Sequence, residues 1–129
     1  MVRNCGGEAD PDPDIMGTPG WELHPAIVPA AGEVILDKTT CDTFASTSLG
    51  EDLARLGVRR LVIAGLQSDY CIRETTLGAL ERGYAVTLVS DAHSTVDGGG
   101  KTAAEKSAAV NEELGGRARL VTADEVRFE

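Results

Sequence analysis

Three polar clusters in this chain carry side chains suited to chemistry: Asp37-Lys38, the turn Gln67-Ser68-Asp69-Tyr70 leading into Cys71, and Ser90-Asp91-Ala92-His93. Each follows an apolar run of strand length, so all three are expected at the C-terminal edge of a parallel sheet, where ligands bind in open α/β folds. Cys71 is the sharpest of them. It falls in the first turn of an expected helix, where unpaired N–H groups and the helix dipole favour a thiolate. The backbone N–H groups of such a turn also suit the oxygen of an attacked carbonyl. The other reading of Cys71 is an inert cysteine used as a small hydrophobe. Lys38 has two readings as well: a solvated strand end, or a cation that favours the ionised thiol once the fold brings the two together.

Other motifs carry less. His24 and His93 are isolated, without Cys or acidic neighbours at ligand spacing, so they do not define a zinc site. Asp91 and His93 are two apart after a strand and serve either a ligand or the loop itself. Gly98-Gly99-Gly100-Lys101-Thr102 has the end of a phosphate-binding loop but Thr95 where that pattern needs glycine, and it does not follow directly on a strand. Asp10-Pro11-Asp12-Pro13-Asp14 lacks the glycine bend and distal Glu of a calcium loop. Cys5 and Cys41 are too isolated to suggest a disulfide or a metal pair.

The elements that must position these groups are readable from periodicity. Residues 4–33 hold all five prolines and the only tryptophan, and read as loop. Val34-Ile35-Leu36 reads as a short buried strand ending at Asp37-Lys38. Thr47-Ser48 opens a helix through Leu49, Leu53 and Leu56, closed by Gly57. Val58 to Leu66 reads as a central parallel strand, because Leu61 to Ala64 is apolar on both faces. Next come a helix over about 71–82 stopped by Gly83, a strand over 84–89 and a glycine-rich loop over 90–100. A helix over 102–114 and a short strand over 119–122 complete the chain. Strand, helix, strand with short links gives right-handed crossovers, an α/β class and a mostly parallel sheet.

With 129 residues, 42% of them apolar, the chain suffices for a single domain spanning 1–129. Its net charge of −9 repels phosphate backbones and anionic lipid, so nucleic acid and membrane surfaces are not expected partners. Three cysteines without an export signal suggest free thiols in the cytoplasm.

The run Val62-Ile63-Ala64-Gly65-Leu66-Gln67-Ser68-Asp69-Tyr70-Cys71-Ile72-Arg73-Glu74-Thr75-Thr76, followed by Gly83-Tyr84 and Val89-Ser90-Asp91-Ala92-His93-Ser94-Thr95, resembles the isochorismatase-like cysteine hydrolases. Lys38 with Phe44, Thr47 and Leu49 resembles that family's lysine segment, and Pro19-Gly20-Trp21-Glu22-Leu23 its preceding loop. The resemblance implies a three-layer fold with helices on both faces of the sheet. It implies Cys71 as nucleophile and Lys38 as the lysine of an Asp-Lys-Cys triad. It also implies a cis peptide between Leu66 and Gln67, and an oxyanion hole from the N–H groups of Gln67 and Cys71. Trp21 and Phe44 are the candidates for substrate contact. A small-molecule substrate and a homo-oligomer are expected on the same ground, with no cofactor and no metal, because the nicotinamidase histidine motif is missing.

One departure matters. No apolar run followed by Asp-x-Gln is present, so the family's first strand, first helix and catalytic Asp are lacking, and the domain reads as incomplete at its N-terminus. Asp10, Asp12 and Asp14 sit in a proline-bound loop and are poor substitutes. The loss of a central strand is expected to leave an open apolar sheet edge. The activity implied is hydrolysis of a small amide or lactam-like C–N bond through a thioester. One alternative is a catalytically incomplete relative serving in oligomerisation or ligand binding. The other is vinyl-ether hydrolysis of the isochorismate type.

Overall fold

A computed structural model describes residues 1–4 and 14–128. Among these residues five strands form two separate sheets, each parallel within itself. β1 (Val2–Asn4) pairs with β2 (Leu36–Lys38), and β3 (Arg60–Leu66), β4 (Ala85–Ser94) and β5 (Arg119–Val121) pair in that order. Four helices connect or flank them: α1 (Thr43–Ser46), α2 (Leu49–Arg55), α3 (Arg73–Glu81) and α4 (Ala103–Leu114). A π-helical turn over Ser68–Ile72 runs directly into α3. Cys5, Asp10 and Asp12 lie outside the described residues.

The core follows from the apolar spacing. Phe44, Ile72, Ala79, Val86, Leu88, Val110, Leu114 and Ala118 form one buried cluster joining α1, α3, β4 and α4. Helix ends match their capping chemistry. Thr102 accepts from the N–H of Glu105 while the Glu105 carboxylate accepts from the N–H of Thr102, a reciprocal capping box that starts α4. Gly83, at φ +84°, takes the left-handed turn that lets the chain leave α3 for β4.

Several expectations are corrected. The strand read at Val34–Leu36 instead spans Leu36–Lys38, and Val34 is half exposed, because β1 offers only Val2–Asn4 as a ladder. Leu61 to Ala64 reads as a central strand, but among the described residues β3 pairs with β4 alone and keeps the open apolar edge expected from the absent family strand. Its other edge faces a slot of about 700 Å³ between the two sheets, lined by Val2, Arg3, Leu61 to Leu66, Trp21 and Phe44 among others. Val62 and Leu66 are exposed there. β4 continues to Ser94 through residues read as loop, because Gly65, at φ +128°, shifts the β3 register and lets Gly65 and Leu66 pair with His93 and Ser94. The region 14–35 holds turns and no helix or strand, as its prolines require.

Two predictions concern how helices are fastened. Gly78, in α3, faces the Asp42 carboxylate that caps α1 at the Phe44 N–H, 3.0 Å away. A Cβ on Gly78 would lie 2.7 and 2.8 Å from the two Asp42 oxygens. Helix propensity alone favours Gly→Ala by about 1 kcal/mol. The clash outweighs it, so Gly78→Ala is expected to destabilise by about 1–3 kcal/mol in thermal unfolding. A raised melting temperature would contradict this packing.

Arg73 joins α3 to α4 through Glu113, at 2.8 Å from Arg73 Nε, and this hydrogen bond holds the Glu113 carboxyl below the usual carboxylate range. A depressed carboxyl stabilises the fold above its unfolded value and loses that contribution as pH falls through its folded value. Glu113→Gln is therefore expected to lower the melting temperature at pH 7 and to bring it level with the native protein near pH 3. Solvent screening at this half-exposed pair keeps the gain below about 1 kcal/mol. An equal difference at both pH values would contradict the linkage.

Candidate active site

The site forms where β2 and β3 end. β2 delivers Lys38, 4% exposed, whose Nζ donates to Cys71 Sγ at 3.0 Å, Asn4 Oδ1 at 2.7 Å and the Thr40 carbonyl at 3.0 Å. Three partners match the three hydrogens of an ammonium, one of them aimed at the sulfur. Lys38 and Cys71 are 33 residues apart, one at the end of β2 and the other in the turn that follows β3. Asn4 sits beside Lys38 in the β1–β2 register, so its amide oxygen meets Nζ across the ladder.

Cys71 lies inside the π-helical turn, not in the first α-helical turn as read from sequence. The turn is closed by the Ile72 N–H donating to the Gln67 carbonyl at 3.1 Å, and the Arg73 N–H donates to the Ser68 carbonyl. The peptide between Leu66 and Gln67 is cis. Gln67 is extended, and its N–H and that of Cys71 belong to the same turn.

Trp21 lines the slot that also holds Cys71 and Lys38, with the Arg3 guanidinium 3.8 Å from its ring centroid and Arg3 paired to Asp37 at 2.8 Å. Phe44 borders the slot but is mainly a core residue. It is buried and stacked on Tyr84 at 5.8 Å.

Asp91 and His93 do not line the slot. Asp91 accepts from the Ala123 N–H at 2.7 Å and fastens the chain after β5. His93 is buried between Ser68 and Asn111. His24 accepts from the Ala26 N–H within its own turn. Among the described residues no group of three or more His, Cys, Asp or Glu side chains could hold a metal ion.

Two neighbours of the site were not legible in the sequence. Cys41 is not isolated: burial pushes its thiol up, and the adjacent Cys71 pushes in the same direction, while Lys38 opposes. Its carbonyl accepts from Thr75 Oγ1 at 3.1 Å, which ties the 39–42 loop to α3. Asp14 accepts from Asn4 Nδ2 and so stands two links from Lys38. Neither contact has a local sequence signal, since both depend on which loops fold over β1 and β2.

A family model described as the isochorismatase domain matches residues 3–121, and the chain belongs to the isochorismatase family. It is 44% identical over 84 residues to a streptothricin hydrolase of Streptomyces noursei, a match covering 65% of this chain and 33% of that protein. It is 34% identical over 77 residues to maleamate amidohydrolase of Pseudomonas putida, covering 60% of this chain and 36% of that protein. The matched stretch thus spans about a third of either relative's length. The fold agrees with the crystal structure of an isochorismatase hydrolase from Oleispira antarctica at TM-score 0.86 and 29% identity, over 96% of this chain and 68% of that one. Among the described residues no helix is long and apolar enough to cross a membrane.

Proposed function

We propose that the protein hydrolyses a small amide or lactam-like C–N bond with Cys71 as nucleophile. The observation that carries this reading is the Lys38 ammonium 3.0 Å from Cys71 Sγ at the C-terminal strand edge. Held beside this ammonium, the sulfur attacks the carbonyl carbon. The developing oxyanion is met by the N–H groups of Gln67 and Cys71. The C–N bond then breaks, the leaving nitrogen takes up the proton that the Cys71 thiol gave up, and a thioester remains on Cys71. Water cleaves it to a carboxylic acid and restores the thiol. Trp21, Leu23 and Ile27 on the slot wall suit the apolar remainder of the substrate. The hydrolase and amidohydrolase named among the relatives support this class of reaction.

The test is turnover of a panel of small amides and lactams by the native protein and by Cys71→Ala. Turnover unchanged in the variant would sink the mechanism.

A second reading has one observation behind it. Among the described residues Lys38 bonds to no carboxylate, its oxygen partners being an amide and a carbonyl. On that reading the domain binds a small ligand in the slot without turning it over. Saturable binding of a panel member with no product formed would favour it.

A further inference from the structure

His93 is buried at 7% exposure and takes no part in the chemistry above, yet its ring lies in a continuous polar chain. Asn111, on α4, donates from Nδ2 to the Ser90 carbonyl at 3.0 Å, so its Oδ1 is the atom facing His93 Nε2 at 2.9 Å. An amide oxygen only accepts, and Nε2 therefore carries the ring proton. In the neutral ring Nδ1 is then an acceptor, and it takes the hydroxyl hydrogen of Ser68 at 2.8 Å. With that hydrogen committed, the 2.9 Å contact between Ser68 and Ser107 has Ser107 as donor. With the ring neutral, the series Ser107, Ser68, His93, Asn111, Ser90 runs in one consistent direction.

The series ends on the turn that presents Cys71. Ser68 is fully buried, is the first residue of the π-helical turn, and directly follows Gln67. His93 on β4 and Ser107 and Asn111 on α4 hold it from two other elements. We propose that His93 is a positioning residue for Cys71, setting the distance between the sulfur and Lys38 by fixing Ser68. This rests on the reading of Lys38 and Cys71 as a working pair.

A double-mutant cycle separates that role from general stability. The rate of Cys71 alkylation by iodoacetamide at pH 7 is measured by mass spectrometry with and without Lys38→Met, in three backgrounds: native, His93→Leu and His93→Gln. In the native background Lys38→Met is expected to slow Cys71 about tenfold. In His93→Leu the sulfur has left Nζ, and Lys38→Met changes the rate by less than about twofold. Glutamine supplies one donor and one acceptor at similar reach, so His93→Gln restores most of the Lys38 effect. Should His93→Leu fail to fold, Ser68→Ala removes the same link from the other side and is expected to lose the Lys38 effect equally. A full Lys38 effect in His93→Leu or in Ser68→Ala overturns the positioning role alone. The absence of any Lys38 effect in the native background overturns the Lys38–Cys71 pair and this proposal with it.

Discussion

Turnover of a small amide is expected to fall at least about a thousandfold in Cys71→Ala, with melting temperature nearly unchanged. Lys38 touches the sulfur, and on the proposed mechanism removing it removes the covalent intermediate, not a contributor to binding. Cys41 is disfavoured as a substitute. Its thiol is pushed up by burial and by Cys71, and its backbone is tied to Thr75 on α3. Cys41→Ser is therefore expected to keep activity within about threefold of native. Assays of both variants on the same amide give the contrast directly. Comparable losses in the two would mean that the Cys71 contact is not the reactive one.

Lys38→Met should lower kcat about a hundredfold while KM moves little, because the ammonium acts on the ionised sulfur more than on bound substrate. Methionine keeps much of the buried aliphatic volume, so the cavity term is small. Two acceptors, Asn4 Oδ1 and the Thr40 carbonyl, lose their donor, and unpaired buried groups cost about 1–3 kcal/mol each. Stability is expected to drop as well, by an amount measurable in urea, and activity is compared where both proteins are folded. Lys38→Arg keeps the charge but replaces a compact ammonium with a planar fork, and it is expected to stay impaired. A kcat unchanged in Lys38→Met would remove Lys38 from the chemistry.

What could be read from the residues was local. Thr102 and Glu105 have capping-box spacing, and α4 begins there. The run 85–89 has strand composition, and Gly83 marks the stop before it. The misreadings share a cause. Apolar residues on both faces of 61–64 report a tendency to be buried, not how many neighbours a strand has, and β3 proved to border the slot. Periodicity begins at Cys71 and so marks the helix start there. The π-helical turn opens on Ser68, whose partners His93 and Ser107 are 25 and 39 positions away and invisible to local periodicity. His93 looked like a loop residue because the bulge at Gly65, which extends the β3–β4 pairing, leaves no mark in the composition of 90–94. The Lys38–Cys71 pair came from family resemblance, since nothing at either position alone requires the other.

The central claim is that Cys71 acquires an acyl group with help from Lys38. The direct measurement is acid quenching and peptide mass spectrometry during reaction with a small activated ester, p-nitrophenyl acetate. The account predicts an acetyl group on Cys71, slower acetylation in Lys38→Met and none at that position in Cys71→Ala. Acetylation of Cys41 in preference to Cys71, or of Cys71 at equal rates with and without Lys38, would contradict it.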